Sequence, residues 1–192
     1  MNLKITITSL FLLGSLTLFA QEKSEVERKV KASQVPQKAV SWMEKTFGKK
    51  NGISWYEELS SGKLSYEAKF KWNRRWHSVE FDRSGNIEDI EIRISNKELP
   101  DAFRLAFRSY LDSAYTKFKV MKIQEQWSGE PQALAEAVKN GDLSGITIRY
   151  EIEFYGKNND RKDELWEGLF DRDGNLVRQR KIILRPSDNL LY

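Results

Sequence analysis

The string "FDRDGN", Phe170 to Asn175, repeats with one change a string at Phe81 to Asn86, "FDRSGN". The match extends upstream. "SYEAKF" (Ser65–Phe70) precedes the first string and "RYEIEF" (Arg149–Phe154) the second, while "VPQKAVSWMEKTF" starts at Val35 and "LPDAFRLAFRSYL" at Leu99. Three matched features in one order predict an internal duplication, with one unit over 35–96 and the other over 99–184.

Each unit opens on a helical pattern. Ala39, Met43 and Phe47 recur every four residues after Pro36, with Val40 beside them; Phe103, Phe107 and Leu111 do the same after Pro100, with Tyr110 alongside. Proline near the first helical position loses no needed N–H, and the spacing makes one apolar face. Gly48 is the expected stop of the first helix.

The remainder alternates with period two. Leu64, Tyr66, Ala68, Phe70 and Trp72 oppose Ser65, Glu67, Lys69 and Lys71; Ile90, Ile92 and Ile94 oppose Glu91 and Arg93; Ile146, Ile148, Tyr150, Ile152 and Phe154 face inward in the second unit. Such alternation predicts antiparallel strands with one covered and one wet face. The expectation is an α+β fold of two tandem units, each a helix on an approximately four-stranded antiparallel sheet, with the sheets able to join into one curved sheet. The last strand, "LVRQRKIIL", breaks the alternation at Gln179 and Lys181, which predicts a bulge or an exposed edge there. The units differ at 128–145, where "PQALAEAV" closed by Gly141 predicts a helical excursion in place of the tight turn "SSGK". That insertion reads either as a rim for a binding face or as decoration at the edge of the fold.

The doubled string resembles part of a calcium loop, but a calcium loop has acidic or amide residues at positions one, three and five and a bidentate Glu at position twelve. Here glycine follows Asp173 directly, Ile182 stands at the twelfth position from Asp171, and Ser84 replaces the second acid in the first copy. Glycine followed by Asn between alternating strands is hairpin chemistry. The string reads as one turn used twice, with no metal ligands.

Residues 1–20 are of a different kind: Lys4, an apolar stretch from Ile5 to Phe19, then Ala20 before the polar "QEKSEVERK". This is the layout of a secretory signal peptide cleaved between Ala20 and Gln21, although Leu18 is larger than the small residue usual at that point. An uncleaved anchor is the alternative, for which the run falls short of the roughly 20 residues of a span. Residues 21–34 form a charged lead-in, with room for a short helical turn, and 185–192 a C-terminal tail. Without cysteine there is no disulfide framework, thiol catalysis or Cys-ligated zinc. The 32 basic and 28 acidic residues are interspersed, which gives little reason to expect nucleic acid as a partner.

Val35-Pro36, Trp55, Tyr66-Glu67-Ala68-Lys69-Phe70, Val79, Phe81-Asp82 and Gly85 together resemble the secreted PepSY-like family, in the superfamily of the β-lactamase-inhibitor-protein-like (BLIP-like) fold, as found in Bacteroidota-type bacteria. Leu99-Pro100, Tyr150-Glu151, Phe154, Phe170-Asp171 and Gly174 carry the resemblance in the second unit, which departs from it at the insertion and at Gly168 in place of valine. The resemblance implies two tandem helix-plus-sheet units. It also implies an extracytoplasmic binding or inhibitory role toward a secreted or periplasmic protein such as a peptidase, with no catalytic residues and no cofactor.

The residues agree on catalysis. His77 is the one histidine, and it lies mid-strand in phase with Val79 and Phe81, as a structural residue would. For binding, "KFKWNRRWHSVEF" stands out. Its turn projects Arg74 and Arg75, and Trp76 falls on the open face with Ser78 and Glu80, either as an anchor for a partner or packed across its own hairpin against Lys71. The candidate binding set is Trp76, Arg74, Arg75, Lys71, Arg93, Arg149 and Tyr155, with 128–145 as its rim. A small-molecule or envelope-polymer sensor with a pocket between helix and sheet is the alternative.

Overall fold

The computed structural model describes residues 21–23, 25–60, 62–157 and 163–183. The expected signal peptide and C-terminal tail lie outside the described residues. The elements are β1 (Gln21–Lys23), β2 (Glu25–Val30), α1 (Gln37–Phe47), β3 (Ser54–Ser60), β4 (Lys63–Trp72), β5 (Arg75–Asp82), β6 (Ile87–Arg93), α2 (Asp101–Ala114), β7 (Lys117–Ser128), α3 (Pro131–Asn140), β8 (Thr147–Lys157), β9 (Asp163–Phe170) and β10 (Leu176–Ile182). Among these residues no helix is long and apolar enough to cross a membrane.

The strands form one sheet in the order β1-β10-β9-β8-β7-β6-β5-β4-β3-β2. Pairing of β6 with β7, for example Glu91 opposite Gln126, makes it continuous across the two halves. Every described pairing is antiparallel except the short parallel contact of β1 with β10. Residues 21–30, expected as a lead-in, supply strands at both edges. Lys23 pairs with Ile182 and Glu25 with Ser60, although only residue 24 separates them. The two edges therefore lie within reach of one short segment, which requires strong curvature; β3 and β10 themselves are not paired, so the sheet stays open.

The helices cover one face. Ala39, Met43 and Phe47 of α1 and Phe103, Phe107 and Leu111 of α2 are buried as their spacing predicts. Phe47 meets the edge of Phe70 at 4.9 Å between centroids, and Phe107 meets Phe170 at 5.0 Å. The insertion at 128–145 is not a rim of the opposite face. Its helix α3 joins the helical layer, where Leu134, Ala137 and Val138 are buried and Trp42 Nε1 of α1 donates to the carbonyl of Pro131 at 3.3 Å. Burial of its apolar stripe decides its place. The bulge in β10 falls between Leu176 and Arg178, ahead of the expected position. Gln179 and Lys181 face the helices with partners: Gln179 bonds Tyr110 Oη (2.5 Å) and Tyr115 Oη (2.6 Å), and Lys181 pairs with Glu164 at 2.6 Å.

Both "FDR-GN" strings are hairpin turns with the same bonds. Asp82 Oδ1 accepts from the backbone N–H of Ser84 and Asn86 (2.8 and 2.9 Å), and Oδ2 from the Asn86 side chain at 2.6 Å. Asp171 Oδ1 accepts from the backbone N–H of Asp173 and Asn175 (3.0 and 2.9 Å), and Oδ2 from the Asn175 side chain at 2.9 Å. These donors, led by the Asn side chains, hold both carboxyls below the ordinary range. The acids fold the turn.

Candidate functional site

The face away from the helices is polar, as the alternation predicts, but its centre is not wet. Curvature buries Glu67, Ser78, Glu91, Gln124, Gln126, Glu151 and Glu167 to between 2% and 8% exposure. The register lines up Tyr56, Glu67, Glu80, Asp89 and Ser128 in one row across β3 to β7. Lys69, Ser78, Glu91, Gln126 and Arg149 form the next row. Buried polar groups must find partners, and here much of the partner set is other carboxylates.

Two groups of three carboxylates result, Glu27–Glu58–Glu67 and Glu80–Asp89–Glu91, each with oxygens within 4.8 Å of one another. The first is neutralised from within: Lys69 Nζ lies 2.9 Å from Glu27 and 2.8 Å from Glu67, and Ser78 Oγ donates to Glu67. Burial works against charge on both partners, yet at Lys69 the Glu67 and Glu27 carboxylates outweigh it and hold the ammonium charged. At Glu67 burial is outweighed by bonds from Glu58, Lys69 and Ser78, so its carboxyl sits below the ordinary range. In the second group the balance reverses. Burial and then the neighbouring carboxylates, Glu80 and Glu151 for Asp89 and Glu151 and Glu80 for Glu91, push both groups well up. Gln126 donates to Asp89 at 3.1 Å and Gln124 to Glu91 at 2.7 Å, bonds that either protonation state can accept. Both carboxyls therefore give up their protons less readily than exposed ones. Three carboxylates are also the start of a hard-cation site, able to offer three to six of the six to eight oxygens calcium takes.

The sequence-predicted binding residues divide. Lys71 lies opposite Trp76, and Arg93 follows on β6 one pair beyond His77–Ile92, so these three share one end of the polar face. Trp76 is 59% exposed, so it is not packed away beneath its hairpin. Arg74 occupies the turn with φ +67°, beside Asn73 at +47°. Arg75 is engaged with Glu98 at 2.6 Å, which ties the hairpin to the turn before α2, and Arg93 donates to the carbonyl of Met121 at 3.2 Å. Arg149 and Tyr155 lie on β8, three strands from β5, or roughly 14 Å along the sheet. Arg149 is half-buried beside the acidic rows, and Tyr155 is 36% exposed at the margin. The set is thus one cluster at the β4–β5 hairpin plus two outlying residues. The buried acid rows were missed because alternation assigns a face but not its curvature; the signal available was the density of Glu and Asp at the outward positions of "YEAKF", "IEDIEIRI" and "RYEIEF".

His77 is buried within an aromatic box of Phe47, Phe70 and Trp72, and its Nδ1 lies 3.1 Å from the carbonyl oxygen of Arg75. Burial, more than the nearby Arg75 charge, lowers its proton affinity. Its ring-proton NMR titration should have its midpoint below the ordinary histidine value of about 6.5. Because the folded value is depressed, neutral His77 supports the fold above about pH 6.5, and that support falls away as pH drops through the folded value. A midpoint at or above 6.5 would mean the box admits water.

The fold defines a class: α+β proteins with helices packed on one face of a continuous, open, mostly antiparallel sheet. Solved structures share it. A DUF2874 family protein from Bacteroides ovatus matches with a TM-score of 0.53 at 20% identity, covering 81% of this chain and 97% of its own. A protein from Bacteroides eggerthii, provisionally described as periplasmic, matches at 0.52 and 19%, covering 77% and 88%. A BLIP-like protein from Bacteroides fragilis is a more distant match, at 0.46 and 16%, covering 77% and 86%. No family model matches the sequence, and no curated protein is similar enough in sequence to count as a relative. The likeness is one of fold.

Proposed function

We propose that this chain is a non-enzymatic, extracytoplasmic binding module, built by duplication of units 35–96 and 99–184, that docks a secreted or periplasmic protein through the β4–β5 end of its polar face. Inhibition of a secreted enzyme such as a peptidase is the role the resemblance suggests. The observation that carries the reading is the exposed Trp76 indole beside Lys71, Arg93 and the strained turn of Arg74. Tryptophan and arginine are the residues from which interfaces draw most of their energy. A two-residue turn with both φ positive favours Asn-Gly, so arginine at the second position costs about 1 kcal/mol. A turn that keeps it despite that cost suits a side chain held for contact. The signal-peptide pattern and the provisionally periplasmic fold neighbour support the address.

The test uses the chain from Gln21 as bait for envelope and secreted fractions of its source. Trp76→Ala should weaken partner capture roughly tenfold or more. Arg74→Gly should weaken capture while raising the melting temperature by about 3 °C, because it relieves the turn. A partner held equally by both variants would move the site off this hairpin, and no partner at all would end the binding-module reading.

A further inference from the structure

A cleft of about 650 Å³ opens at the sheet edge between α1 and the β2–β3 pair, with residues 48–53 along one side. Its apolar side chains, Val30, Val40, Met43, Ile53 and Trp55, gather at the floor, while Asn51, Ser54 and charged side chains line the rest. Val30 and Trp55 are paired across β2 and β3, and Met43 is fully packed, so the floor belongs to the core. The charged side chains on this side are Lys31, Lys49 and Lys50 against the single acid Glu44, while Lys29, paired with Tyr56, points to the polar face. Lys50 Nζ lies 5.9 Å from the Trp72 ring, which holds the ammonium at that corner of the rim.

The volume lies within the range of small-molecule sites, about 300–1,000 Å³. An apolar floor rejects a fully polar solute, which would lose hydration without replacement. The three-to-one excess of lysine favours an anionic head over a neutral or cationic one. We propose that this cleft binds a single-chain amphiphile of the fatty-acid class. The alkyl chain lies along Val40, Ile53 and Trp55, and the carboxylate meets the lysine rim. The site is on the helix side of the sheet edge, so this inference is independent of the Trp76 surface.

The chain from Gln21 would be titrated below micellar concentrations with dodecanoate, dodecyltrimethylammonium and butyrate. Calorimetry gives the affinity, and amide NMR shifts at Gly48, Gly52 and Ile53 give the location. Dodecanoate should bind one to one at the cleft, with the other two at least about tenfold weaker. Lys31→Glu with Lys49→Glu changes exposed residues only and should weaken dodecanoate about tenfold without moving the melting temperature. Equal affinity for the cationic amphiphile, indifference to the double reversal, shifts that map elsewhere, or no binding would each overturn the proposal.

Discussion

Glu91→Gln should raise the melting temperature by about 4 °C at pH 7.5 and leave it nearly unchanged at pH 4. Burial, with Glu151, Glu80 and Asp89 close by, pushes the Glu91 carboxyl well above its ordinary value. A folded value above the unfolded one, about 4.3, means the folded chain keeps a proton that the unfolded chain releases. The resulting stability is complete below about pH 4.3 and is lost as pH rises through the folded value. Glutamine imitates the protonated acid without that loss and can still accept from Gln124, now 2.7 Å from Glu91. Thermal melts across the pH range provide the check. An unchanged or lower melting temperature at pH 7.5 would mean that a counter-ion holds Glu91 ionised. Glu67→Gln should move the opposite way at neutral pH, since Glu67 is held ionised against Lys69 and Ser78 two strands away on the same face. Two glutamates on one surface thus carry opposite signs, decided by whether the nearby ammonium bonds the carboxylate itself, as Lys69 bonds Glu67, or another acid, as Lys122 bonds Glu153.

That difference was invisible in the sequence, and the reason is geometric. Period two places Glu67 and Glu91 on the same face, but it specifies neither which residue on a neighbouring strand stands opposite nor how far the face bends. The helix positions were readable because a four-residue spacing after Val35-Pro36 and Leu99-Pro100 fixes a face locally, and Met43 and Phe107 are buried accordingly. Trp76 was placed on the open face by phase alone, and it lies there exposed. Arg149 and Tyr155 were grouped with it by phase as well, yet strand order separates them, because face assignment carries no information on distance across a sheet. The 128–145 excursion was legible as a helix, but its place was left open between rim and decoration for a related reason. Its apolar stripe of Leu134, Ala137 and Val138 demanded burial, and the one apolar layer within reach was that of α1.

The doubled turn explains its own glycine, and with it the largest loss expected from a single methyl group. Gly174→Ala should cost about 3 kcal/mol, or roughly 8 °C in melting temperature. Gly174 sits at φ +87°, which costs an L-residue about 1 kcal/mol. A Cβ there would also stand 2.6 Å from Ala106 Cβ on α2. Gly85 repeats the arrangement at φ +79°, where a Cβ would stand 2.8 Å from Pro36 Cβ and 3.0 Å from the Ala39 nitrogen at the start of α1. In each half the hairpin tip rests on the backbone side of its own helix, so the glycine sets how closely helix and sheet approach. Gly141→Ala isolates the backbone cost: φ is +72°, but nothing lies within 4 Å of the added Cβ, and the loss should be about 1 kcal/mol. The excess at Gly174 is then the contact with α2, and Ala106→Gly in the Gly174→Ala background should recover part of it, a coupling that chemical denaturation of the four chains of the cycle would measure. If Gly174→Ala costs no more than Gly141→Ala, the turn does not bear on the helix. If the cycle shows the coupling, the "FDR-GN" string is conserved between the two halves of this chain as a spacer between helix and sheet, and its aspartate serves only to hold that spacer in shape.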